Sequence, residues 1–180
     1  MLTESSLNVK PQSLIIKRAS GIGTLQSVTD AIADMRKSYG NHVIQIFDPK
    51  AIVSRDHLLA SYLNARVSFS EKSNRASSLS VEMLLFAAMT RQISAAIKTV
   101  GAKTNNDFVL FTDSKSAYGK LRKNLSRVSE FEPTAKESGA ASRRLGIRAK
   151  GYESLDSVLL QKIALSKLER GLAGNDTMQK

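Results

Sequence analysis

The sequence predicts an α/β (α+β) domain in which a small mixed β-sheet is packed by several α-helices. Two observations carry that expectation. Short runs of branched and aromatic residues, Gln12–Arg18, Asn41–Phe47 and Asp107–Thr112, are separated by longer stretches whose apolar residues recur at helical spacing. The chain has 180 residues, the size of one domain, with no internal repeat and no break in composition. Residues 1–173 are therefore expected to form a single globular domain and residues 174–180 a flexible tail.

Each element has its own signal. Gln12–Arg18 follows Pro11 and reads as a first strand. Thr24 is a candidate N-cap for a helix carrying Leu25, Val28, Ile32 and Met35 and stopped by Gly40. Asn41–Phe47 alternates and reads as a second strand, ended by Asp48-Pro49. Ser54 caps a helix through Leu58, Tyr62 and Val67. After a polar loop at Glu71–Ser78, Leu79–Met89 is apolar almost all round and predicts a buried central helix. A further helix, Gln92–Val100, ends at Gly101 with Lys98 in its last turn. Asp107–Thr112 is the third strand. A basic helix is expected from Ser114 to Val128, loop or short helix over Ser129–Gly151, and a last helix from Ser154 to Leu172.

Charge bounds the function. Twenty-seven Lys and Arg against sixteen Asp and Glu give a net charge of +11. Such a field draws polyanions, and nucleic acid is the usual one, although an excess of solubilising lysine gives the same sum. There is no cysteine, which excludes disulfides, thiolate zinc sites and cysteine nucleophiles. The N-terminal residues lack the basic and apolar regions of a signal peptide. The longest apolar run, Val81–Met89, is interrupted by Glu82 and too short to cross a bilayer. The expectation is a soluble, cytoplasmic protein without membrane contact.

Catalytic constellations are thin. Gly21-Ile-Gly23, between a strand and a helix, resembles the start of a dinucleotide site, but Gln26 occupies the position that needs a third small residue. Ordinary turn glycines explain it better, and a nucleotide-dependent enzyme remains the third-ranked reading. The two histidines, His42 and His57, have no carboxylate at metal-ligand spacing. No catalytic residue, metal or cofactor is assigned. Glu82, inside the apolar helix, is expected to pair with a cation such as Arg91 or to cap the following helix.

The segment Ser78–Gly101, SLSVEMLLFAAMTRQISAAIKTVG, closely resembles the signature of the kinase-binding, tRNA-binding accessory subunit of the KEOPS complex. The matching positions are Leu79, Glu82, Leu84, Leu85, Arg91, Gln92, Ile93, Ala96, Ile97 and Gly101, with support upstream from Ile52 to Arg66. Ala88-Met89-Thr90 replaces a break that members often write with serine, and the stretch after Thr112 is longer and more basic. The resemblance implies a non-catalytic regulatory subunit. It would bind the small atypical kinase of the complex and hold tRNA by its single-stranded 3′ tail while another subunit installs threonylcarbamoyladenosine.

The residues suggest two binding faces. Lys72, Arg75 and Arg91 flank the central helix, and Arg66 and Lys98 lie on its neighbours; if they converge they make a phosphate groove, with Asn74 and Gln92 for base edges. Tyr62 and Phe69 are candidate stacking platforms, Tyr62 on a stripe that suits the core. The last helix carries two apolar stripes, Val158, Leu165, Leu168 and Leu172 on one side and Leu155, Leu159 and Ile163 on the other. One should pack inward and the other dock a partner; Leu155, Leu159, Leu160 and Ile163 are the expected kinase contacts, with a fully buried helix as the competing possibility. A stand-alone basic RNA-binding module is the second-ranked function.

Overall fold

The computed structural model describes residues 14–40, 42–150 and 154–175, the last seven of these for their backbone only. Four strands form one sheet: β1 (Ile15–Gly21), β2 (Ile44–Phe47), β3 (Phe108–Thr112) and β4 (Leu125–Glu130), in the order β2-β3-β1-β4. The α+β class is as expected, and every pairing is antiparallel. Ile16 lies opposite Phe111, Ile46 opposite Leu110 and Arg18 opposite Ser129. The opening β–α–β unit is split, because β3 lies between β1 and β2.

Among the described residues seven α-helices surround the sheet: α1 (Leu25–Ser38), α2 (Arg55–Ser70), α3 (Leu79–Ala87), α4 (Ile93–Val100), α5 (Lys115–Leu121), α6 (Ala135–Arg144) and α7 (Leu155–Asn175). β3 is buried throughout and alternates between two cores. Phe108 and Leu110 pack with Val28 and Ile32 of α1 and Ala117 and Leu121 of α5. Val109 and Phe111 pack on the opposite face with α2, α3 and α7. Period two in the central strand thus builds a layer of helices on each side.

The expected basic helix over Ser114–Val128 is shorter. It stops at Leu121, makes a 3-10 turn over Arg122–Asn124, and becomes strand β4. Leu125 and Val128 face the core beside α5, which is more apolar contact than continuing the helix would give this polar stretch. Within Ser129–Gly151 the chain forms α6, opened by a capping box between Thr134 and Glu137. The Gln12–Ser13 start of the first strand, Asn41, Gly151 and residues 176–180 of the expected tail lie outside the described residues; Gly174 and Asn175 continue α7.

Ionic side chains join the elements. Arg18 donates to both oxygens of Asp107 at 2.7 Å and to Glu137 at 2.8 Å, tying β1 to the segment before β3 and to α6. Arg144 reaches Asp48 at 2.7 Å. Arg36, half-buried, donates to the carbonyl of edge residue Ile44 at 2.9 and 2.7 Å and also to Gln45. Ser80 accepts the Ile44 N–H at 3.1 Å, so this outer edge is blocked at that residue to further strand pairing.

Candidate functional site

The central helix α3 is buried on all sides, with Met83, Leu85, Phe86 and Ala87 at 0% exposure. Glu82 is equally buried. One of its oxygens accepts the backbone N–H groups of Arg75 and Ala76 at 3.0 and 2.9 Å, so it fixes the loop before α3 and not the cap of α4. The helix is antiparallel to α2 and clamped there by His57, whose Nε2 donates to the Ala87 carbonyl at 2.9 Å while Nδ1 accepts the Val53 N–H at 3.3 Å. That pattern requires the neutral ring. Burial pushes the His57 pKa down to about 4, against smaller opposing effects of the Ala87 bond and the Asp156 charge.

The expected RNA-contacting side chains fall along this frame. Lys72, Asn74 and Arg75 occupy the α2–α3 loop; Lys72 and Arg75 are exposed, and Asn74 donates to the Ala76 carbonyl at 2.9 Å. Lys72 has φ 57°, a left-handed conformation that glycine would adopt at less cost. Arg91 and Gln92 are exposed at the other end of α3, about 13 Å away by helical rise. Lys98 lies two turns further along α4, and Arg66 is half-buried on α2. The seven side chains are divided between the two ends of α3: Lys72, Asn74 and Arg75 in the loop before it, Arg91 and Gln92 after it, with Lys98 on α4 and Arg66 on α2. Of the stacking candidates, Tyr62 is a core residue at 1% exposure, donating its hydroxyl to Asp113 at 2.7 Å, and Phe69 is partly buried against the same core.

α7 resolves its two stripes by burial. Leu159 and Ile163 are fully buried, and Leu155 and Val158 pack against the same core beside α2 and α3. Leu160, Leu165 and Leu168 stand 40%, 55% and 63% exposed on the outer side. Three of the four residues expected to touch a partner, Leu155, Leu159 and Ile163, thus belong to the core, because α7 must cover α2 and α3. Leu160 alone is on the outer face, joined by Leu165 and Leu168 from the other expected stripe; Leu172 is outside the described side chains. Lys167, one turn after the buried Ile163, bridges to Glu71 at 3.3 Å, which places this flank of α7 beside the Lys72 loop. Sequence periodicity missed a second exposed pair, Ile93 and Ile97 of α4, which border a groove of ≈ 220 Å³ with Ile32 and Leu84. Their spacing of four residues on a short helix was the available signal.

The glycine turn is occupied by its own chain. Gly21 donates to the Asn105 carbonyl and Ile22 to the Asn124 carbonyl, both at 2.8 Å. A Cβ at Gly21 would meet Asn105 Oδ1 at 2.0 Å. The amides that a phosphate would need at these two positions already have partners, and the first glycine serves close packing. Among the described residues no three His, Cys, Asp or Glu side chains could hold a metal ion, and no helix is long and apolar enough to cross a membrane.

Among the described residues this mixed-layer domain exposes leucines on α7 and cations at both ends of α3, surfaces of the kind a binding domain carries. The family model for kinase binding protein CGI-121 matches residues 25–141, most of the described fold from α1 through the greater part of α6. The chain belongs to that family. None of the curated proteins matches it.

Proposed function

We propose that this chain is a non-catalytic regulatory subunit of the KEOPS complex that binds the complex's small kinase and recruits tRNA by its single-stranded 3′ tail. The observation that carries the kinase half is α7: three exposed leucines on one face of a helix whose other face is already sealed. Leaving about this much leucine surface in water costs on the order of 25 cal/mol per Å² relative to burial, which a partner would recover. Membership of a family described as kinase-binding names the class of partner.

The RNA half is supported by Lys72, Arg75 and Arg91, exposed on either side of α3, with Gln92 free to turn toward a base. The left-handed conformation of Lys72 closes α2, with Ser73 N–H donating to the Ser68 carbonyl at 2.8 Å. Because Glu71 pairs with Lys167, the tail-binding loop and the kinase-docking helix adjoin, so one partner can influence the other through a single loop. A pull-down of the purified kinase by the intact chain and by a Leu165→Asp/Leu168→Asp variant tests the first half. Retained capture by the variant, with folding intact, would remove α7 as the docking face. Binding of tRNA with and without its 3′-terminal nucleotides tests the second; equal affinity for both would remove the tail from the account.

A further inference from the structure

The rim formed by α5, the 3-10 turn and β4 takes no part in either surface above. Residues 114–129 contain Lys115, Lys120, Arg122, Lys123 and Arg127 and no acidic residue, so sixteen residues hold five of the eleven net positive charges. All five side chains are exposed. Among the described residues none of them forms an ion pair. The carboxylates nearby are engaged elsewhere: Asp107 and Glu137 hold Arg18, and Glu130 meets Lys17 and Arg55. The field of the rim is therefore largely unopposed.

Its shape is a ridge with charge on both flanks. β4 is the outer strand and pairs with β1 alone. The register shifts between Ser20 and Gly21, so Leu125 lies opposite Gly21 and Arg127 opposite Ser20, with Ser126 bulged between them. Because of that extra residue, Leu125 and Val128 both face α5, and Arg127 and Ser129 face the other side with Arg18. Lys120 is on the α5 flank, over the Tyr39 ring at 5.2 Å, and Lys123 is exposed in the 3-10 turn that follows α5. β3 and β4 both run antiparallel to β1, so α5, about 10 Å long, runs back between them and the 3-10 turn brings its basic end beside the start of β4.

From this geometry we infer that the α5–β4 rim seats on helical RNA, with Lys120 and Lys123 to the phosphates of one strand and Arg127 to those of the other. The inference rests on the reading that RNA is the polyanion, and it adds a duplex contact to the single-stranded one. Charge on two flanks of a narrow ridge suits the two strands that border a groove, and A-form RNA is held mainly by shape and backbone contacts. Single strands call for stacking platforms, and the Tyr39 ring here is already covered by Lys120. A lipid surface calls for a broad apolar face; the exposed large aliphatic beside the rim is Ile22.

The test measures binding of a blunt RNA duplex of about 16 base pairs by fluorescence anisotropy across a salt series. The intact chain is compared with a Lys120→Ser/Lys123→Ser/Arg127→Ser variant and with a Lys50→Ser/Lys136→Ser/Arg143→Ser control of equal charge loss, all checked for unchanged thermal melts. The expected result is a loss of about tenfold or more and a salt slope smaller by about 2 to 3 for the rim variant only, since each phosphate contact contributes about 0.9 to the slope. Its binding to a single-stranded 3′ tail should stay near the intact value. Equal losses in both triple variants, or an unchanged duplex isotherm in the rim variant, would overturn the inference. So would loss of binding to phosphatidylserine vesicles with duplex binding retained. Failure of the intact chain to bind any RNA would remove the RNA reading as a whole, whereas tail binding with no effect of the rim variant removes this inference alone.

Discussion

α3 and α7 are both rich in leucine, yet they do opposite work. α3 lies against the sheet with α2, α4 and α7 around it, and its one carboxylate is satisfied by two backbone N–H groups. α7 packs on α2 and α3 along one side, so it buries Leu159 and Ile163 but not Leu160, Leu165 or Leu168. Apolar content alone does not say whether a helix is interior. What decides is how many neighbours the topology leaves for it, and the surplus face is the one proposed to dock the kinase.

That contrast can be broken or sharpened by measurement. The largest effect is expected at the middle of α3: Phe86→Ala should lower stability by about 4 kcal/mol in urea titration, as deletion of a sealed aromatic does. Next is the clamp between α2 and α3. The His57 ring is neutral when folded, with a pKa of about 4 against an ordinary 6.5. The unfolded chain therefore binds the extra proton first, and the clamp's contribution is whole above pH 6.5 and declines as pH falls toward 4. The loss should approach about 3 kcal/mol over that window, and a His57→Gln variant should flatten the profile. A flat profile in the unaltered chain would mean that the ring takes up protons without disturbing the helix pair.

Glu82→Ala should follow at about 2 kcal/mol, by leaving the Arg75 and Ala76 amides without their acceptor; an unchanged melting temperature would show that the loop can find another. Smallest is the outer face of α7. Leu168→Ser should change stability by no more than about 0.5 kcal/mol while weakening capture of the kinase. If it destabilised the chain as much as Phe86→Ala, the two helices would be alike after all.

Most of the architecture was legible because burial imposes period on sequence. The strand in Asp107–Thr112, the caps Thr24 and Ser54, and the central helix follow from such patterns. β4 was not legible: an outer strand with one face open shows only Leu125 and Val128, and its cations read as the continuation of a helix. The start of α6 was available in the Thr134–Glu137 spacing, whereas its interior of small and charged residues carries little periodicity. For the candidate sites, residue types at the α2–α3 loop could be singled out, but their separation along α3 could not. The choice between the stripes of α7 was beyond one-dimensional pattern, since both are equally greasy and only the placement of α2 and α3 distinguishes them.

The strand order has a temporal consequence. Ile16 is matched with Phe111 and Lys17 with Glu130, so the first strand finds both neighbours about a hundred residues downstream. During synthesis it must wait, unpaired, until β3 and β4 have emerged. Such remote pairings raise the contact order and slow the search, so the nascent N-terminal segment is the part most in need of shielding before the sheet can assemble.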